Sequence, residues 1–413
     1  MKYLPRTIDR ELDELLPIAP AIAIDGPKGV GKTATAARRA STIWQLDDPQ
    51  VQQLAQADFS LETVSQTPLL IDEWQKYPPV WDSVRRRADA GAPPGSYLLT
   101  GSATPSSEAG THSGAGRILS LRMRPMAIYE RGATSPTVSL SQLLSGKAEA
   151  IGGETSWSVK DYAAAIISSG FPGMTDLPPR LRTAQLDAYL SRIIDRDLPD
   201  AGRHVRLPEV LSRWMRAYAA ATATTASYST LLDTTTAGDG KQPNKATTAA
   251  YRDHLTAIWI VDPLKGWLPN HNEFKRAQQA PKHYLADPAL SARLLRISET
   301  SLLTHTMFGP LFEALVVLSV RVAAQAAQAE VFHLRLNAGE REIDLIVEGD
   351  EGQIIAIEVK LAPVVTDHDV RHLNWLADQL PDQVVERIVV TTGQFAYRRP
   401  DGVAVVPLAL LGA

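Results

Sequence analysis

The stretch Asp25-Gly26-Pro27-Lys28-Gly29-Val30-Gly31-Lys32-Thr33 constrains this chain more than any other. It follows an apolar run, Ala21-Ile22-Ala23-Ile24, that reads as a buried strand, and it precedes residues 34–40, which read as the first turns of a helix. Strand, glycine loop and helix in that order are the setting a phosphate-binding loop needs. Gly26, Gly29 and Gly31 allow backbone angles and a close approach that a side chain would block. The loop from Gly26 through Pro27, Lys28, Gly29, Val30 and Gly31 then turns its N–H groups toward phosphate oxygens, and the helix start adds partial positive charge. Lys32 is placed to reach the β- and γ-phosphates, and Thr33 to offer its hydroxyl to Mg²⁺.

The remaining composition bounds what this loop serves. A chain of 413 residues is too long for one ordinary core, so two or three domains are expected. With 44% hydrophobic and 21% charged residues it reads as globular. A net charge of −4 gives no global basic field to announce nucleic acid, while a local basic face remains open. The absence of cysteine excludes disulfides, thiolate zinc sites and a cysteine nucleophile. The N-terminus has no apolar signal core, and no apolar run approaches a membrane span, so the expectation is a cytoplasmic protein without a membrane partner.

Downstream of the loop, Leu69-Leu70-Ile71-Asp72-Glu73 reads as a central parallel strand ending in two acids at the ligand edge of a sheet. Asp72 is the candidate for the Mg²⁺ shell, and Glu73 for orienting or deprotonating the attacking water. Residues 96–104 form a further strand whose polar end, Ser102 or Thr104, is placed to sense the γ-phosphate. Gly114-Ala115-Gly116-Arg117 leads into a last strand near residues 118–126. Arg117 is read either as reaching a phosphate, in its own subunit or a neighbour's, or as a surface arginine.

These motifs, with Leu99-Thr100-Gly101-Ser102 and Gly116-Arg117 running on to Met126-Ala127-Ile128-Tyr129-Glu130, resemble a prokaryotic group of AAA-superfamily ATP-binding proteins that carry a further C-terminal region. The separation of 39 positions from Thr33 to Asp72 suits that group's small ATPase core. The resemblance extends through Gly170-Phe171-Pro172 and residues 189–198. It implies ATP and Mg²⁺ as cofactors. A homo-oligomer is the expected assembly.

Residues 131–156, rich in Gly, Ser, Thr and Pro, read as linker or loop, and 157–199 as a helical lid. From Leu207 the pattern is helix, turn, helix. A Thr/Gly/Asp stretch (Thr234–Gln242) precedes a third helix, Lys245 to Ile258, and a strand-like Trp259–Leu264. This is a winged-helix layout, whose third helix is equally suited to DNA or to a protein partner.

At the C-terminal end, an apolar helix from Phe308 carries one early acid, Glu313. Strands at 330–336, 341–348 and 353–360, a helix at 367–380 and a strand at 386–392 follow. Helix, three strands, helix, strand resembles the core order of restriction-endonuclease-like nucleases. Asp344 lies on the second strand, and Glu358 lies 14 residues on, sharing one face of the third strand with Lys360. Asp344, Glu358 and Lys360 match that superfamily's catalytic set, with Glu313 completing a metal shell of Glu313, Asp344 and Glu358.

The expected fold is therefore α/β throughout: a P-loop, AAA-type parallel-sheet core (1–135), a linker and helical lid (136–204), a winged-helix-like region (205–299) and a restriction-endonuclease-like domain (300–413). The expected function is Mg²⁺-dependent ATP hydrolysis coupled to a conformational change on or near DNA or RNA. The alternatives are an ATP-gated metal-dependent nuclease and a non-cleaving ATP switch that binds a protein partner.

Overall fold

The computed structural model describes residues 3–102, 114–146, 150–200, 208–236, 245–269, 279–336 and 339–413. Two compact units are present. The first comprises Met1–Arg124, Ser191–Arg206 and Arg252–Ile260; the second comprises Pro125–Leu190, Leu207–Tyr251 and Val261–Ala413.

The first unit is built on a five-stranded parallel sheet. Its strands are β1 (Ala21–Asp25), β2 (Thr42–Gln45), β3 (Leu69–Asp72), β4 (Tyr97–Gly101) and β5 (Leu119–Arg122), in the order β2-β3-β4-β1-β5. Ile22, Ala23 and Ile24 of β1, Leu69, Leu70 and Ile71 of β3, and Leu98 and Leu99 of β4 have no exposed surface. Unbroken apolar runs of this kind suit strands covered on both faces. Helices α1 (Thr7–Leu15), α2 (Lys32–Ala37), α3 (Pro49–Ala57) and α4 (Pro79–Asp89) accompany the sheet. Trp74 and Trp81 pack ring on ring at 4.6 Å in its core. Asp25 pairs with Gly101, and Asp72 with Thr100, so the carboxyl ends of β1, β3 and β4 meet at one edge. Ligands of open α/β sheets bind at such an edge.

The second unit holds an eight-stranded mixed sheet. Its spine is β9 (Ala329–Leu336), β10 (Arg341–Gly349), β11 (Ile354–Val359) and β12 (Val384–Thr391). The first three run antiparallel, and β12 joins β11 in parallel after the helix Asp367–Gln379. The expected order of helix, three strands, helix and strand is thus present. The long helix Phe308–Ala326 belongs to one core with Leu345, Val347, Ile355, Ile357, Ile388 and Val390. Ile346, Ala356 and Val389 belong to another core with Val370, Leu373 and Leu376 of the helix Asp367–Gln379. On β10 the register shifts between Ile343 and Ile346, a bulge that contains Asp344. A bulge of this kind re-aims a side chain at the sheet surface.

The stretch 131–156, read as linker or loop, carries short elements of this unit. Strand β6 (Val138–Ser139) pairs with β15 (Leu411–Gly412), and β7 (Gly153–Glu154) pairs with β13 (Phe395–Arg398). Between them, Ser139 caps α5 (Leu140–Leu144), whose Leu140, Leu143 and Leu144 enter the core. Helix α6 (Val159–Ser168) follows, and its Tyr162 hydroxyl accepts the N–H of Ala409 at 3.1 Å. Helices Pro208–Ala220, Tyr228–Thr236 and Lys245–Ala257 form as expected. The strand-like reading of Trp259–Leu264 does not hold. That segment makes isolated bridges, Val261 with Leu285 and Leu264 with Lys282. Thr104, Leu207 and residues 237–242 of the Thr/Gly/Asp stretch lie outside the described residues.

Contrary to the expectation that no run approaches a membrane span, Phe308–Ala326 has the length and apolar composition to cross one. Most of it is buried in the protein. It also carries Glu313 and Arg321, both ion-paired within the unit.

Candidate functional site

At the carboxyl edge of the parallel sheet, β1 runs straight into the glycine loop. A Cβ on Gly26 would stand 2.1 Å from the carbonyl oxygen of Met123, so only glycine fits there. Gly31, with φ of 102°, turns the chain into α2 from the left-handed region. Lys32 is 6% exposed, and its Nζ donates to the carbonyls of Gly26 (2.8 Å) and Pro27 (2.9 Å). Burial lowers its pKa to about 8 against the charges of Glu73, Asp25 and Asp72. Burial likewise raises Asp25, whose charge is supported by Ser120, Lys32 and Arg122. The Thr33 hydroxyl donates to Asp72 Oδ1 at 2.8 Å, and Thr100 donates to the same oxygen. Arg6 braces the loop, donating to the carbonyl of Val30 at 2.9 Å. Lys28 pairs with Asp197 at 3.2 Å, on a π-helical turn spanning Ile193–Asp197.

Glu73 follows β3 with φ of 53° and ψ of 42°, a left-handed conformation rare for a side-chain residue. Gln75 donates to Glu73 Oε2 and, at 3.3 Å, to Ser102 Oγ, so Ser102 is joined to Glu73 through one amide. Arg117 is not brought to this edge. It precedes β5, whose Leu119 pairs with Ile22 near the start of β1, and its Nε meets Asp89 at the end of α4 at 2.7 Å. The arginine of β5 that does reach the edge is Arg122, partner of Asp25 in the register, with its guanidinium 4.7 Å from the ring centre of Trp259. Thr100 and Asp197 fall inside stretches that carry the resemblance but have no role assigned there, and Gln75 and Arg122 are not singled out in the sequence.

In the second unit, the expected metal set is arranged around a residue that the sequence reading missed. Lys282 is buried, and its Nζ lies 3.0 Å from Glu313 Oε1, 3.2 Å from Glu342 Oε1 and 2.9 Å from Asp344 Oδ1. Tyr284 donates to Glu313 at 2.6 Å, and the N–H of Val359 donates to Asp344 Oδ2 at 3.0 Å. Glu358 pairs instead with Lys360 at 2.8 Å. Burial alone would lower Lys282, but Asp344, Glu313 and Glu342 hold it well above its ordinary value. Asp344 ends below its ordinary range because Lys282 and the Val359 N–H outweigh its burial. Burial, reinforced by the charge of Asp344, pushes Glu313 up to about 7 and Glu358 up to about 8. Among the described residues, no three His, Asp or Glu side chains are disposed to hold a metal ion. Glu313, Asp344 and Glu358 therefore do not fit a divalent ion as they stand, because each is already bound to an ammonium, the first two to Lys282 and the third to Lys360.

Comparison with known proteins finds three matched regions along the chain. A family described as an AAA domain matches residues 19–131. Two domains of unknown function, DUF8612 and DUF4143, match residues 159–301 and 308–411. Uncharacterized proteins of Mycobacterium bovis and Mycobacterium tuberculosis are each 24% identical over 338 residues, which is 80% of this chain and 68% of theirs. A Walker-type ATPase of Pyrococcus abyssi is 15% identical with a TM-score of 0.40, over 70% of this chain and 94% of that one. The glycine loop, the acidic strand end beside it and the parallel sheet beneath them, together with the family match, make the N-terminal region of this chain an AAA-type P-loop ATPase domain.

Proposed function

We propose that the protein is a Mg²⁺-dependent ATPase that couples hydrolysis to a conformational change, on or near nucleic acid. The observation that carries this reading is the buried Lys32 ammonium on the loop carbonyls, with Thr33 hydrogen-bonded to Asp72 at the same sheet edge. That donor set fits Mg²⁺ and a polyphosphate. A hydroxyl and one carboxylate suffice from the protein, since Mg²⁺ keeps water and phosphate oxygens as its other ligands. Bound Mg²⁺ and ATP supply the leaving group and the neutralising charge. Lys32 holds the β/γ-phosphate oxygens, and the loop N–H groups of Gly26, Lys28, Gly29, Val30 and Gly31 orient them, with Pro27, which has no N–H, shaping the turn. Glu73 is the base or water-positioning group, and its left-handed backbone is consistent with a conformation kept for function. Ser102 reports the γ-phosphate to Glu73 through Gln75. Arg117, held away from its own loop, is assigned to a neighbouring subunit's nucleotide in a homo-oligomer. An assay of phosphate release from ATP, with and without Mg²⁺, on wild type and Lys32→Ala tests the reading. Equal release by both proteins overturns it.

The nucleic-acid part rests on the helix and strand order of the C-terminal region, which resembles restriction-endonuclease-like proteins, and on the three helices of a winged-helix-like middle. Within this reading we assign Asp344, Glu358 and Lys360 to binding rather than cleavage. The reason is that Lys282, not an open carboxylate set, occupies the cluster. A non-cleaving switch that contacts a protein partner shares that support. Incubating duplex and single-stranded DNA with Mg²⁺, with and without ATP, separates the two from an ATP-gated nuclease, which would shorten the DNA. A cytoplasmic location is part of the same proposal.

A further inference from the structure

The place of Lys282 in the backbone is fixed on both sides. Its N–H donates to the carbonyl of Leu264, and its own carbonyl accepts the N–H of Leu264, each at 2.9 Å. The side chain is 2% exposed, against 15% for Glu313, 14% for Asp344 and 34% for Glu342. An ammonium has three N–H donors, and this one meets three carboxylate oxygens from the long helix and from β10. Two of these carboxylates are engaged further: Asp344 Oδ2 takes the N–H of Val359, and Glu313 Oε1 also takes the hydroxyl of Tyr284. Glu358 is drawn aside by Lys360, which also stands 3.8 Å from Asp369. A divalent ion entering here must displace a cation that is covalently tethered and already within hydrogen-bond reach.

We propose that Lys282 is the resident cation of this cluster, taking the place of a divalent metal among Glu313, Glu342 and Asp344. The C-terminal unit then keeps its acidic residues together without metal. The inference concerns this cluster alone and is independent of what the N-terminal domain hydrolyses. Two consequences distinguish it from a dormant metal site. The wild-type cluster takes up no divalent ion, and loss of the ammonium, rather than addition of a carboxylate, opens the cluster to one. Three carboxylates left without their counter-charge repel, and a divalent ion relieves that repulsion.

The test is Mn²⁺ titration of the full chain without nucleotide, followed by electron paramagnetic resonance of free Mn²⁺, in an Asp72→Asn background that silences the N-terminal site. No saturable site is expected in the background protein. Lys282→Met should gain one, and adding Asp344→Asn should remove it again. The thermal midpoint of the Lys282→Met protein should rise on adding Mn²⁺, while that of the background protein stays put. Saturable Mn²⁺ binding in the background protein that Asp344→Asn abolishes overturns the proposal, as does a folded Lys282→Met protein that gains no site. If Lys282→Met does not fold, the background protein and its Asp344→Asn variant decide the matter by themselves.

Discussion

Lys32 sits buried with its Nζ on two backbone carbonyls, and burial outweighs the nearby charges of Glu73, Asp25 and Asp72 to hold its pKa down at about 8. A polyphosphate beside it favours the ammonium, so the bound state has the higher pKa and binding takes up a proton once the pH exceeds the free value. ATP affinity should therefore be flat below about pH 8 and fall above it, approaching tenfold per pH unit. Calorimetric titration from about pH 7 to about pH 10 checks this, and an unchanging affinity across that range removes the buried ammonium from binding. Lys32→Ala deletes a charge-assisted hydrogen bond worth about 1.5–3 kcal/mol, so ATP should bind roughly 10- to 100-fold more weakly. Glu73→Gln preserves shape while removing a base. It should leave binding almost unchanged and slow hydrolysis by about 10²- to 10⁴-fold, measured under single turnover. Wild-type turnover in that variant would dismiss Glu73 from its role. The residues behind these predictions were legible because the loop has fixed spacing. The roles of Gln75 and Thr100 were not, since each acts by where β3 and β4 end in space.

Between elements, one connection in the second unit is Asp287, which ties a helix start to the turn at Ser169–Gly170. It caps the helix Pro288–Leu294 by accepting the N–H of Ala289 at 2.7 Å. It also accepts the N–H of Gly170 at 2.6 Å and the hydroxyl of Ser169 at 3.2 Å. Asp287→Ala leaves two buried backbone N–H groups unpaired and should cost about 2–4 kcal/mol in urea denaturation, with Asp287→Asn recovering part of it. A loss below about 0.5 kcal/mol would mean the turn at Gly170 stands without it. We propose that Arg117, which precedes β5 and pairs with Asp89, serves a neighbour's phosphate. Mixing Arg117→Ala with Glu73→Gln should then restore part of the ATPase activity, since each chain lends what the other lacks. Activity per chain that ignores protein concentration, with no rescue, returns Arg117 to being the partner of Asp89. Helix and strand positions followed from apolar period, but the bulge at Asp344 did not. Arg341 to Val347 alternates without marking where the register shifts. Lys282 stands in a stretch without apolar period, and its partners Glu313 and Asp344 lie 31 and 62 residues further on.

At the scale of the molecule, the two units are assembled from separated stretches of chain. The core beneath β10, β11 and β12 takes Val138, Leu140, Leu143, Tyr162 and Ile166 from before residue 170, alongside residues 308–411. A fragment of residues 300–413 therefore lacks one wall of its core. It should bind a hydrophobic dye and unfold without a cooperative transition, whereas the full chain does neither. A cooperative transition in the fragment would show that the early residues are dispensable. This interleaving was invisible in the sequence, because the Gly- and Ser-rich composition of 131–156 masks three leucines at helical spacing. It also sets a schedule for synthesis. Val138 pairs with Leu411, roughly 270 residues later, and at about 5–20 residues per second the wait lasts roughly 14–55 s. For that interval the leucines of α5 travel on a growing chain with part of their shelter still unmade. Ribosome-bound chains stalled before β14 (Ala404–Pro407) are where a chaperone would have its longest hold on this protein.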